Sequence, residues 1–129
     1  MRNKKYLFLV TIAVVALLSI GVLATVNDYT ITLPALQGHI TCTSAYKVSS
    51  ETYLLHKVTN LGGGYDSIIS WCDTTTQVTD RYSIYEGQGF TTLAYSNTPP
   101  PIGTYLKARA HNRTFSIYNV TCSGTVDFK

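Results

Sequence analysis

The chain has 129 residues and a formal charge of +3, from 10 Lys or Arg against 7 Asp or Glu. Three of the basic residues, Arg2, Lys4 and Lys5, lie at the start, so residues 25–129 carry seven basic and seven acidic side chains and are neutral. This neutrality excludes a nucleic-acid-binding domain and a polybasic membrane-surface anchor, and the content of 45% hydrophobic and 12% aromatic residues excludes a disordered chain.

Residues 1–24 have the order of a secretory signal peptide. A basic start is followed by the apolar run Tyr6–Ile20, and Val22 and Ala24 fit the −3 and −1 positions of a cleavage site after Ala24. We expect this segment to form a hydrophobic signal helix. The alternative is an uncleaved anchor, because the run extends to Val26 and a bilayer span needs about 20 residues. In both cases residues 25–129 are predicted to lie outside the cell, either secreted or held at the membrane by the leader.

Residues 25–129 are predicted to form a single antiparallel β-sandwich domain. Thr, Tyr, Val and Ile dominate, apolar and polar residues alternate, and turn residues separate the segments. This pattern predicts eight or nine short strands, for which a sandwich is favoured and a small closed barrel is the alternative. The predicted strands are 28–33, 39–48, 52–59, 67–72, 78–85, 90–95, 104–111, 114–118 and 120–128.

The clearest alternation lies near the C-terminal end. In Thr104–His111 the small and apolar residues are predicted to face the core, and Tyr105, Lys107, Arg109 and His111 to face outward. A hairpin turn at Asn112-Arg113 is predicted to lead into a strand over Thr114–Tyr118 that has Phe115 and Ile117 inside.

The outward row, together with the turn, holds the densest basic cluster of residues 25–129. We assign Tyr105, Lys107, Arg109 and Arg113 as candidate binding residues for an anionic partner. The alternative is a solvated face whose charges prevent edge-to-edge aggregation.

An exported domain can form disulfides, and the chain has three cysteines, Cys42, Cys72 and Cys122. We predict one bridge among them, with three possible pairings and one thiol left over. The alternative is that all three are small buried core residues. Cys42 is expected to share a face with Ile40 and Ser44, and Cys122 to share one with Val120, Gly124, Val126 and Phe128. No cysteine or histidine spacing typical of a zinc site occurs, so no metal is expected.

The sequence gives no sign of catalysis. It contains no Gly-x-Ser-x-Gly elbow, and His39, His56 and His111 lie in different predicted strands. A pairing of Cys72 with His56 remains open, but no neighbouring residue supports it. We therefore expect neither enzymatic activity nor a cofactor.

Several segments carry a resemblance to known proteins. They are DYTITLPALQGHI (residues 28–40), Tyr46-Lys47, Gly62–Tyr65, Trp71, Gly103–Arg109 and Ser123–Lys129. In these the chain resembles an uncharacterised family of small secreted β-rich proteins of Gram-positive bacteria, although three cysteines depart from its pattern. In size, export route and Tyr-rich composition it is also similar to lactococcin-type secreted bacteriocins. The first resemblance implies a compartment and a fold but no functional residues.

The predicted function is therefore that of a secreted, non-enzymatic binding protein. Its expected partner is a cell-envelope glycan or a surface protein, and not a nucleic acid. The alternative is a secreted bacteriocin-like antimicrobial or toxin.

Overall fold

The computed structural model describes residues 26–129, and the predicted leader with its helix and cleavage site lies outside these residues. The described residues form eight β-strands. They are β1 (Val26–Leu33), β2 (Ile40–Tyr46), β3 (Tyr53–Leu61), β4 (Ser67–Asp73), β5 (Tyr82–Tyr85), β6 (Thr91–Ala94), β7 (Tyr105–Asn112) and β8 (Val120–Asp127).

The strands form two four-stranded antiparallel sheets packed as a sandwich, which confirms the predicted fold class. The strand order is β1-β8-β3-β6 in the first sheet and β2-β7-β4-β5 in the second. Among these eight strands, β4 and β5 are the single pair of sheet neighbours that are also consecutive in the chain. The fold is therefore built from contacts between distant segments.

The core lies between the sheets and is filled by alternate residues of every strand. Fully buried side chains include Leu33, Leu54, Ile68, Ile84, Leu93, Leu106, Val126 and Phe128. The predicted inward faces of the two central strands are confirmed. Leu106, Ala108 and Ala110 of β7 are fully buried, and so are Cys122 and Val126 of β8.

The predicted strand Thr114–Tyr118 and the hairpin before it are wrong. β7 lies in the second sheet and β8 in the first, so residues 113–119 cross from one sheet to the other. Phe115 and Ile117 were expected inside but are 60% and 63% exposed, whereas Ser116 between them is buried. The alternation that resembled a strand belongs to a loop with its polar residue turned inward.

A β-bulge changes the predicted face of β2. Thr41 pairs with Arg109 and Thr43 with Ala108, so Cys42 is the additional residue of the bulge. Cys42 is buried as expected. After the bulge, however, the residues that face outward are Ser44 and Tyr46, one position later than strict alternation predicts. Ser44 therefore lies opposite Lys107 on the outer face and does not share the inner face with Cys42.

Candidate functional site

The four predicted binding residues lie on the outer face of the second sheet or directly beside it. Tyr105, Lys107 and Arg109 project from alternate positions of β7, followed by His111, while Arg113 comes just after the strand. At about 3.3 Å per residue, the row from Tyr105 to His111 extends about 20 Å. The residues thus form a line along one strand, not a compact pocket.

The neighbouring strands add residues that sequence reasoning did not include. We call the combined surface the basic face, defined by Tyr46, His39, Trp71, Asp73, Arg81, Tyr85, Tyr105, Lys107, Arg109, His111 and Arg113. In β4, Trp71 lies opposite Arg109 and Asp73 lies opposite Lys107. The alternation in the predicted strand 67–72 could have placed Trp71 on an outer face, but not beside Arg109, because periodicity does not identify partner strands.

Trp71 occupies the middle of the basic face and is only 4% exposed. The Arg81 guanidinium lies 4.4 Å from the Trp71 ring centroid, a distance typical of a cation–π contact. The imidazole rings of His39 and His111 approach it to 5.8 Å and 5.7 Å between centroids. Trp71 therefore packs beneath the Arg81 guanidinium and the two imidazole rings and is not itself an open stacking surface.

An exposed aromatic pair lies at one end of the row. The rings of Tyr46 and Tyr105 are 5.1 Å apart between centroids, and the Tyr105 hydroxyl is 2.6 Å from Ser44 Oγ. Tyr46 is 60% exposed and Tyr105 is 45% exposed. This pair offers apolar ring surface to solvent in a fixed orientation, which is a common way to contact a sugar ring.

The other end of the row is held by Arg113. Its Nη1 donates a hydrogen bond of 2.6 Å to the Tyr85 hydroxyl, and its guanidinium lies 5.4 Å from the Tyr85 ring centroid. The guanidinium is thereby oriented by β5 although Arg113 belongs to a loop.

The middle of the row contains the single carboxylate of the basic face. Arg109 Nε lies 4.0 Å from Asp73 Oδ2, which is too long for a hydrogen bond. Arg109 Nε and Asp73 Oδ1 are both buried without a hydrogen-bond partner among the described residues. Asp73 thus weakens the positive charge of this face without pairing tightly with it.

The charges of the domain are unevenly distributed. Four of the seven Lys and Arg residues after position 24 belong to the basic face, namely Arg81, Lys107, Arg109 and Arg113, against Asp73 alone of the seven carboxylates. Residues 25–129 are neutral in total, but the basic face therefore carries a net positive charge.

The remaining three cations are engaged elsewhere. Lys47 is 1% exposed, and its Nζ donates to the carbonyl oxygens of Ser49, Glu51 and Lys129 at 2.5, 2.7 and 3.1 Å. Burial lowers the pKa of Lys47. Lys129 pairs with Asp127 at 3.0 Å, and Lys57 lies 4.8 Å from the Phe90 ring centroid.

A chain of buried polar groups joins the two sheets. His56 of β3 has Nε2 at 2.7 Å from the Tyr29 hydroxyl and Nδ1 at 2.8 Å from Ser70 Oγ. Ser70 Oγ donates to the Arg109 carbonyl at 2.9 Å, so it must accept from His56 Nδ1–H. His56 Nε2 is then unprotonated and accepts the Tyr29 hydroxyl proton.

This chain satisfies each ring nitrogen of a histidine that is fully buried. Burial lowers the pKa of His56 to about 3 and raises the pKa of Tyr29, so both groups stay neutral. Ser70 and His56 have the distance of a nucleophile and base, but both are 0% exposed. Because both nitrogens of His56 are occupied by Tyr29 and Ser70, the pairing of Cys72 with His56 left open by the sequence is not formed.

Gly124 makes room for this chain. It pairs with Tyr29 across β1 and β8, and a Cβ at this position would lie 2.6 Å from the Tyr29 hydroxyl oxygen. A side chain here would displace the phenol from His56, so the glycine is required by space.

The three cysteines are free and buried in the structure. Cys122 Sγ lies 3.8 Å from the Tyr29 hydroxyl, and the Cys42 thiol interacts with the same hydroxyl from the other sheet. Cys72 lies apart, with its thiol 3.8 Å from the Asp73 carbonyl oxygen. Burial raises the pKa of Cys122 to about 11 and that of Cys72 to about 12, so these thiols are poor nucleophiles at neutral pH.

Residues 26–129 contain no group of three His, Cys, Asp or Glu side chains placed to hold a metal ion. In the same part of the chain, no helix is long and apolar enough to cross a membrane.

Comparison with known proteins adds no identity to this geometry. A scan against protein-family models, a search of curated proteins and a search of solved structures each find no match.

Proposed function

We propose that the protein is a secreted, non-enzymatic binding protein whose basic face binds an anionic glycan polymer of a cell envelope. The observation that carries this proposal is the segregation of charge, with four of seven cations and one of seven carboxylates on one sheet face.

The shape of the basic face favours a linear polyanion over a compact ligand. Lys107 and Arg109 lie about 7 Å apart along β7 and Arg113 follows beyond the end of the strand, an arrangement that suits negative groups repeated along an extended chain. Arg113 and Arg81 are held by aromatic rings, so little side-chain entropy is lost when they bind. The exposed pair Tyr46 and Tyr105 adds a surface for sugar rings at the end of this row.

The proposal is tested with the double variant Lys107→Ala/Arg113→Ala in residues 25–129. The probe is insoluble wall material of a Gram-positive bacterium, before and after acid removal of its phosphodiester polymers. We expect the double variant to bind untreated walls about tenfold more weakly, corresponding to about 1.4 kcal/mol. Binding of the wild type should weaken with added salt and be lost on stripped walls.

The matched control is Lys57→Ala/Lys129→Ala, which removes the same charge away from the basic face. It should bind as the wild type does. An equal loss in both double variants, or undiminished binding to stripped walls, contradicts the proposal. Binding that resists wall stripping but is removed by protease treatment of the walls indicates a surface protein as the partner.

The antimicrobial alternative makes a separate prediction. If the protein is a bacteriocin-like toxin, residues 25–129 inhibit growth of related Gram-positive bacteria. Absence of inhibition across a panel of such strains argues against this alternative and leaves the glycan proposal unaffected.

A further inference from the structure

The three histidines of the chain lie in two different environments. His56 is fully buried, and both of its ring nitrogens are occupied within the core. His111 of β7 and His39, which directly precedes β2, belong instead to the basic face. They are neighbours across these two strands, because Ile40 and Ala110, one residue away from each, are register partners. His39 is exposed and His111 is half-buried, so solvent reaches both imidazoles.

Trp71 gathers both imidazoles beside a guanidinium. Its ring centroid is 5.8 Å from that of His39 and 5.7 Å from that of His111. The Arg81 guanidinium lies 4.4 Å from the same centroid. Two aromatic contacts and one cation–π contact therefore position three nitrogen-rich groups around one indole.

The hydrogen bonds of the two imidazoles leave a nitrogen open to protonation. His111 Nδ1 lies 2.8 Å from the Asn112 carbonyl oxygen, and since a carbonyl only accepts, Nδ1 carries a hydrogen and donates. His111 Nε2 of the neutral ring is then an acceptor, and protonation converts it into a second donor. Among residues 26–129, neither this Nε2 nor the ring of His39 has a hydrogen-bond partner or an ion pair. When protonated, both rings offer N–H donors to an external anion.

The cations around the two imidazoles belong to several elements. Arg109 and Arg113 flank His111 along the chain, and Arg81 lies over the central indole. Residues 34–46, which include β2 and the loop before it, contain no Lys, Arg, Asp or Glu. With four Lys or Arg and one carboxylate, the basic face has a net charge of +3, which two protonated imidazoles raise to +5. A bound polyanion offsets the repulsion among these groups.

The carboxylates near the row leave the two imidazoles unpaired. Asp73 Oδ2 lies 4.0 Å from Arg109 Nε. Asp66 and Glu86 are exposed on the loops that precede β4 and follow β5, at the Arg113 end of the row. Within the described part of the chain, none of the three carboxylates forms an ion pair with an imidazole. They offset part of the positive charge at this end, whereas the charge that changes between about pH 5 and pH 8 is that of the imidazoles.

We propose that His39 and His111 are additional binding residues for the anionic polymer, and that they strengthen its binding when they are protonated. This inference rests on the proposed function of the basic face and adds to it an affinity that rises with acidity. Because linkage is reciprocal, the bound polyanion also stabilises the two imidazolium groups. His56 takes no part, since burial keeps its pKa at about 3.

The test measures the Kd of residues 25–129 for dextran sulfate by calorimetry at about pH 7.5 and about pH 5.5, at equal ionic strength. Sulfate esters stay ionised at both values, so a pH dependence comes from the protein. The wild type should bind about fivefold more tightly at the lower pH, as expected for two exposed ion pairs. His39→Gln/His111→Gln should bind equally at both.

The matched comparison is Lys107→Ala/Arg113→Ala, which removes two cations that do not titrate in this range. It should bind more weakly than the wild type at both pH values and keep the same ratio between them. Circular dichroism at both pH values checks that each variant is folded. A pH-independent Kd of the wild type overturns the proposal, as does a histidine variant that keeps the wild-type ratio.

Nuclear magnetic resonance of the wild type gives a second measurement that needs no variant. On addition of dextran sulfate, the titration midpoints of the His39 and His111 Cε1–H signals should move to higher pH. The His56 signal is the internal control and should not titrate in this range. Unmoved midpoints contradict the proposed role of the two imidazoles.

Wall material separates this result from the proposed function. If the wild type binds untreated walls equally at both pH values, the role of the two histidines is wrong and the glycan proposal stands. If it binds dextran sulfate more tightly at the lower pH but does not bind walls, the role of the histidines is supported and the envelope partner is wrong.

Discussion

His56 is a single buried residue that links the two sheets by hydrogen bonds. It receives a hydrogen bond from Tyr29 of the first sheet and donates one to Ser70 of the second. A protonated ring would keep its donation to Ser70 but could not accept from Tyr29, because a histidinium has no acceptor nitrogen. The buried chain therefore requires a neutral imidazole.

The pH dependence of stability follows from this requirement. The pKa of His56 is about 3 in the folded protein and about 6.5 in an unfolded chain. Between these values the unfolded chain binds a proton that the folded protein does not, so the free energy of unfolding falls as the pH falls below about 6.5. The loss is up to about 1.4 kcal/mol per pH unit and is absent above that range.

We expect urea unfolding of the wild type between pH 7 and pH 4 to show this slope. His56→Gln should be less stable at pH 7 and should lose less stability on acidification, since its side chain does not titrate. His111→Gln is the control for removing an imidazole from the outer face. Parallel pH curves for the wild type and His56→Gln would show that His56 does not cause the acid sensitivity.

At the scale of elements, β8 shows how strongly one face is specified. Val126 is fully buried between β1 and β3, whereas Thr121 of the same strand is exposed. Val126→Asp places an unpaired charge in the core and should cost about 4 kcal/mol or more, enough to unfold a marginal domain. Thr121→Asp should cost less than about 1 kcal/mol. Thermal melting of both variants measures the difference, and similar melting temperatures would contradict the assigned inner face.

The alternation of apolar and polar residues along β7 and β8 also shows which features of the fold can be predicted from the sequence and which cannot. It correctly indicated the inner and outer faces of these strands because one face is buried in each. It does not indicate which strands are neighbours, so the hairpin predicted at Asn112-Arg113 joined segments that do not pair. In the same way Phe115 and Ile117 matched a strand pattern, but their loop is held by hydrogen bonds from residues 35–36, about 80 positions away.

The basic face shows the same limit. Tyr105, Lys107 and Arg109 were identified because they lie on one strand. Arg81, Trp71 and Tyr46 were missed because they reach this face from other parts of the chain. The bulge at Cys42 adds to the problem, since it exchanges the faces of β2 without a signal such as a glycine.

At the scale of the whole molecule, the sandwich limits which cysteines can pair. Cys42 and Cys122 reach the Tyr29 hydroxyl from opposite sheets, while Cys72 is separated from Cys42 by β7. Cys42 and Cys122 also interact with each other, whereas Cys72 shows no interaction with either, so we predict that a bridge within the folded domain joins Cys42 to Cys122 and leaves Cys72 free.

The expected result of oxidation by a glutathione disulfide buffer is a mass loss of about 2 Da, as for any dithiol converted to a disulfide. A peptide map should contain a Cys42–Cys122 link, and Cys72 should be alkylated after unfolding without reductant. A link that includes Cys72 contradicts this pairing. Cys42→Ser is the control variant, in which no intramolecular bridge should form.

The course of β1 has a consequence for attachment. Its first residue, Val26, and the loop that contributes Leu36 lie at opposite ends of the sandwich, about 23 Å apart along the strand. A domain attached to a surface through residues before Val26 would hold the loop of Leu36 away from that surface. The direction of β1 thus decides which end of the domain an attachment on its amino side leaves exposed to solvent.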